Sequence, residues 1–151
     1  MRSACRTLVQ LVAAASLSLP STSAGAAGKG DVVRGPVEAR VERVLDGDTF
    51  MAVARVWPGH SVRVSVRIRG MDAPETKSRC AEERAAGEAA RQALEALFAG
   101  SPVAISNIGG GKYYGRVLAD VTAHDGRDAA ETLIGKGLAR HYSGGRRGPY
   151  C

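Results

Sequence analysis

The stretch from Ser61 to Arg69 alternates without a break: Val62, Val64, Val66 and Ile68 form one face, and Arg63, Ser65, Arg67 and Arg69 the other. A period of two is the signature of a half-buried strand. A strand of this kind has to bury its apolar face against more β structure or a helix. The flanking segments supply both. Val37, Ala39 and Val41 alternate with Glu38, Arg40 and Glu42, Asp46-Gly47 interrupts, and Thr49 to Val56 resumes extended character up to the Pro58-Gly59 turn. Three strands joined by short turns predict an antiparallel meander.

Beyond a loop at 70–79 the period changes. Ala86, Ala90, Ala93, Leu94, Leu97 and Phe98 follow helical spacing, and Gly100 stands where a helix stop is expected. Gly87 lies inside this helix and costs it about 1 kcal/mol relative to alanine. Pro102 to Asn107 and Tyr114 to Ala123 read as two further strands around Gly109-Gly110-Gly111. Asp128, with Glu131 three residues on, reads as a capping box opening a second helix with Ala130, Leu133, Ile134 and Leu138 inward. Five short strands with a helix between the third and fourth predict a mainly β fold: a five-stranded Greek-key barrel of the OB type with two to three helices. Trp57, beside the Pro-Gly turn, reads as a packing residue.

The chain ends carry separate signals. Met1 to Arg6 hold two arginines and no acid, Thr7 to Leu19 are mostly apolar, and Pro20 to Ala27 are small or helix-breaking with an Ala24-Gly25-Ala26 cleavage pattern. Residues 1–27 therefore read as a secretory signal peptide, with an amphipathic transit peptide as the competing reading. The apolar run falls short of the ~20 residues that a membrane span requires. Residues 28–36 read as a mobile lead-in, 37–142 as one domain and 143–151 as a basic, irregular tail. The expected product is exported, periplasmic or secreted, and monomeric. Removal of the leader takes Arg2 and Arg6 and no acid from a formal charge of +6, leaving +4. That balance favours a polyanionic partner only weakly. Cys80 and Cys151 remain after processing. In an exported chain they form one internal disulfide, an intermolecular bridge or two free thiols. The internal link would tie the C-terminus to the middle of the domain and stabilise it by roughly 4 kcal/mol in the chain-entropy model. No CxxC pair or Cys/His cluster supports zinc, and His60, His124 and His141 form no ligand pattern.

Four clusters have chemical potential: Asp46-Gly47-Asp48-Thr49, Arg67, Asp72-Ala73-Pro74-Glu75 and Tyr114-Gly115-Arg116. Each alone has a plain structural explanation as a turn, a solvated charge or a strand end. Together they hold what phosphodiester hydrolysis requires. Carboxylates can hold a hard cation that offsets the substrate's charge. Arginine forks bind phosphate oxygens in pairs. A further carboxylate can take a proton from water.

The order of these segments resembles the staphylococcal nuclease family over roughly Val37 to Tyr142, in VLDGDTF, VRIRGMDAPET, an Ala-rich helix, YYGRVLADV and DGRDAAETLIGKGLA. The resemblance implies an OB-type barrel and a calcium-dependent, sugar-nonspecific nuclease that cleaves DNA and RNA, single-stranded or frayed by preference, leaving 3′-phosphates. It places the calcium ligands on Asp48, Asp72 and the Ala73 carbonyl. It places the general base on Glu75 and the phosphate-binding arginines on Arg67 and Arg116. Tyr114 matches a family tyrosine near the phosphate. Lys112-Tyr113 departs from the usual Asp-Lys pair, so Lys112 stands in for the phosphate-gripping lysine or Tyr113 stacks on a base. His141-Tyr142-Ser143-Gly144 does not align with the far end of the family's nucleotide pocket. Arg146-Arg147 reads either as a contact to a nucleic-acid backbone or as part of an anchored tail. A noncatalytic single-strand-binding module of the same fold, and a small structural or interaction domain, are the alternatives. The intact acid and arginine set argues against both.

Overall fold

A computed structural model of the chain describes residues 31–100, 102–111, 113 and 115–151. The leader expected over residues 1–27 lies outside the described residues, as do Lys112 and Tyr114. Among the described residues, seven strands and two helices follow one another: β1 (Val37–Asp46), β2 (Thr49–Trp57), β3 (His60–Ile68), β4 (Met71–Asp72), α1 (Ala81–Phe98), β5 (Val103–Gly110), β6 (Arg116–Thr122), α2 (Ala129–Gly135) and β7 (Arg140–His141). Five of the strands close a barrel in the order β1-β2-β3-β6-β5, with β5 returning to pair with β1. The mainly β, OB-type expectation holds. The first three strands are the predicted antiparallel meander. β6 joins β3 in parallel, Ser65 opposite Arg116 and Ile68 opposite Ala119. Parallel neighbours need a long crossover, and α1 with β5 provides it.

The alternation of β3 is realised at its barrel end, where Val66 and Ile68 are buried and Arg67 points away from the core. These side chains meet Phe50, Val103, Ile105 and Val121 inside the barrel. α1 closes one end with Leu94, Leu97 and Phe98, and the Phe98 ring meets Phe50 edge-on at 5.0 Å between centroids. α2 begins at Asp128, whose side chain accepts from the Glu131 backbone N–H, and buries Leu133.

Two expectations are corrected. The other end of β3 leaves the barrel, because β6 starts pairing only at Ser65 while the β2–β3 hairpin continues to Trp57 and His60. Among the described residues no third strand covers that end, so Trp57 is 70% exposed and is not a packing residue. In α1 the buried stripe runs through Gly87, Ala90 and Leu94; Ala86 faces solvent.

Gly87 matters for what it allows. A Cβ there would lie 2.8 Å from the Glu75 carbonyl carbon and the Pro74 oxygen and 2.9 Å from the Thr76 nitrogen. Helix α1 therefore backs directly onto the 72–76 loop. Gly47 plays the same part from the opposite side, where a Cβ would meet Ala90 and Ala73 at 2.5 and 2.8 Å. The two glycines let the β1–β2 turn, the helix and the loop come together at one place.

Candidate active site

That place gathers the acids. Asp48 ends the turn just before β2 and Asp72 closes β4, and both are 3% exposed. Buried carboxylates need compensation, and Arg67 supplies part of it. Its Nη1 donates to Asp48 at 2.8 Å and its Nη2 to Asp72 at 3.3 Å, so one guanidinium bridges the two. The second Asp48 oxygen accepts from the Ala73 backbone N–H at 3.1 Å, and Thr49 donates its hydroxyl to the first. Burial pushes the Asp48 carboxyl up from its ordinary range, against the pull of Arg67, Thr49, Ala73 and Arg147. Asp46 lies off this cluster and accepts from the Thr76 hydroxyl at 2.5 Å, pinning the far side of the loop.

The other arginines in and just after β3, Arg63 and Arg69, have structural work. Arg63 pairs with Glu42. Arg69 reaches Asp120 at 3.0 Å and the carbonyls of Asn107 and Leu118, tying β3 to β5 and β6. Arg67 differs only in lying beside Asp48 and Asp72, which alternation alone cannot distinguish.

Glu75 sits on the loop after Asp72, with its side chain 43% exposed. Its backbone N–H donates to Glu83 of α1, which also takes the Ser78 hydroxyl. Arg67, Glu75 and Arg116 line one cleft of about 440 Å³, together with Tyr113, Tyr142 and Arg147. The Arg116 guanidinium lies over the Tyr113 ring, 5.3 Å from its centroid, a cation–π arrangement. The structure thus brings together Asp48, Arg67, Asp72, Ala73 and Glu75, and places Arg116 and Tyr113 across the same cleft.

Arg140 and Tyr150 were not singled out from sequence as parts of this site; Tyr142 was named without an aligned role, and Arg147 as either a nucleic-acid contact or part of an anchored tail. β4 pairs with β7, Asp72 opposite Arg140, and the Tyr142 N–H donates to the Gly70 carbonyl, so the chain after residue 140 runs beside the acids. Cys80 and Cys151 are bonded, which resolves the open cysteine pairing in favour of the internal link. The Tyr150 hydroxyl donates to the Asp72 carbonyl at 2.5 Å. Arg147 pairs with Asp72 at 2.5 Å and also with Glu75. Burial works against the Arg147 charge, but Glu75 and Asp72 outweigh it and hold the guanidinium firmly protonated. The sequence signals for this arrangement were the pair of cysteines and the Arg146-Arg147 pair, read as part of an anchored tail.

The donor set tests well against a hard cation. Asp48 and Asp72 are bridged by the Arg67 fork, and Arg147 reaches both Asp72 and the Ala73 carbonyl, so two carboxylates and a main-chain carbonyl are neighbours. All are oxygen donors of the type calcium prefers. Among the described residues, no buried side-chain nitrogen or oxygen lacks a partner. Arg67 pairs with Asp48 and Asp72, and Arg147 with Asp72, so arginines balance the negative charge.

No curated relative matches the chain. A family model described as staphylococcal nuclease homologue matches residues 65–149, a span that includes Arg67, Asp72, Ala73, Glu75, Arg116 and the tail as far as Pro149 but starts after Asp48. With more than half of its length matched and a closed five-stranded barrel beneath it, the chain belongs to the staphylococcal nuclease family.

Proposed function

We propose that this protein is a calcium-dependent nuclease that hydrolyses phosphodiester bonds of DNA and RNA. The observation that carries the reading is Arg67, which joins two buried carboxylates at the edge of the cleft that also holds Glu75 and Arg116. A module that only bound single strands would gain nothing from burying two acids beside a phosphate site, because like charges repel the ligand.

In this reading Asp48, Asp72 and the Ala73 carbonyl hold calcium, and the ion supplies charge neutralisation and Lewis acidity at the phosphate. Arg67 and Arg116 bind the phosphate oxygens from two sides and stabilise the charge that builds there. Glu75, the most exposed of the three acids, takes the proton from the attacking water. Tyr113 supports Arg116 through its ring; Lys112 and Tyr114 complete the substrate side by family resemblance. Contacts made to phosphate carry little base information, so cleavage is expected to be nearly sequence-independent. Single-stranded or frayed substrate, 3′-phosphate products, export through the 1–27 leader and a monomeric state complete the proposal.

The test is cleavage of single-stranded DNA by the mature chain with calcium and with chelator, beside Glu75→Gln. Calcium-dependent cleavage that the variant loses supports the reading. A folded, calcium-supplied protein that does not cleave refutes it and leaves a nucleic-acid-binding barrel.

A further inference from the structure

The tail ends in a position that the nuclease reading does not use. Each nitrogen of the Arg147 guanidinium has a different oxygen partner: Nε has Asp72 Oδ1, Nη1 has Glu75 Oε1, and Nη2 donates to the Ala73 carbonyl at 2.9 Å. Those are two of the three groups assigned to calcium and the carboxylate assigned to the water. A guanidinium on Asp72 and the Ala73 carbonyl takes oxygens that a cation would use, and its charge repels a cation placed beside it.

The segment around Arg147 is held from several sides. Tyr142 donates its hydroxyl to the Gly145 carbonyl, and Arg140 donates to the carbonyls of Gly148 and Pro149 at 2.9 and 3.1 Å. The Arg140 guanidinium also lies over the Tyr150 ring, 3.6 Å from its centroid. Cys151, four residues past Arg147, is bonded to Cys80 at the start of α1. Four residues span at most about 14 Å, so the bond keeps the guanidinium close to the acids and raises its effective concentration there.

We propose that the disulfide-anchored tail is a built-in competitor for the cation site, with Arg147 as the competing charge. This rests on the calcium reading above. Calcium loading then requires Arg147 to withdraw from Asp72 and Ala73, which also releases Glu75. The tail sets the calcium level at which the site fills, and the Cys80–Cys151 bond sets the strength of the competition. If Arg147 holds the site in about nine molecules of ten, apparent calcium affinity is about tenfold weaker than the intrinsic value.

The test is calorimetric titration of calcium into the mature, oxidised protein, Arg147→Ala and Cys151→Ser, with the calcium-induced rise in Tm as a second readout. Circular dichroism confirms that each variant is folded. Arg147→Ala is expected to bind calcium about tenfold more tightly, and Cys151→Ser to fall between it and the parent. Equal or weaker binding by Arg147→Ala would overturn the competitor while leaving the nuclease reading intact. Unchanged calcium affinity with slower cleavage would assign Arg147 to the substrate phosphate instead, and equally overturns it. Calcium bound by none of the three proteins would sink the metal reading and the competitor together.

Discussion

Replacing Gly87 with alanine sets two rules against each other. Helix propensity alone makes the change stabilising by about 1 kcal/mol, since Gly87 lies in the middle of α1. The packing says the opposite. The new Cβ would sit under 3.0 Å from three backbone atoms of Pro74, Glu75 and Thr76. Backbone cannot swing aside as a side chain can, so the cost belongs at the upper end of the roughly 1–3 kcal/mol seen for overpacking. The net expectation is a loss of about 2 kcal/mol, which for a domain of this size lowers Tm by roughly 8 °C. Thermal denaturation followed by circular dichroism measures it. Ala89→Gly, at an exposed position of the same helix, is the control and should lose only about 1 kcal/mol. Because the collision is with the loop carrying Glu75, Gly87→Ala should also depress cleavage at temperatures where it is fully folded. A Gly87→Ala protein that melts higher than the parent would refute the proposed contact between α1 and the loop.

Three further outcomes are expected. Arg67→Lys keeps a positive charge but loses the fork that reaches Asp48 and Asp72 together, and should lower the cleavage rate about 10²–10³-fold in a steady-state assay; a fall of less than threefold would remove Arg67 from the phosphate site. Asp128→Ala loses the cap on α2 and should cost about 1 kcal/mol in urea unfolding, with no effect on cleavage. The Ser78 hydroxyl, outweighing burial, and the Glu75 N–H hold the Glu83 carboxyl below its usual 4.5. Its contribution to the 75–80 loop is thus complete above that unfolded-state value and lost as pH falls through the lower folded one. A carboxyl NMR titration of Glu83 with its midpoint at or above 4.5 would contradict the assignment.

Much of this protein was legible in its sequence. The alternation of β3, the period change at α1 and the Asp128 cap are local properties, set by which neighbouring side chains can share a face. The acids and arginines were legible too, because the chemistry demands those side-chain types and their order matches the family. Tertiary structure decided the rest. The parallel pairing of β3 with β6 depends on how the crossover packs, and nothing in either strand announces it. The exposure of Trp57 depends on where β6 begins to pair. Gly87 costs its helix propensity, and only the closeness of the 74–76 backbone explains why no side chain stands there. Arg147 lies 72 residues beyond Glu75 in the chain. Its place among the acids follows from the β4–β7 pairing and the Cys80–Cys151 bond, contacts that exist only once the chain has folded.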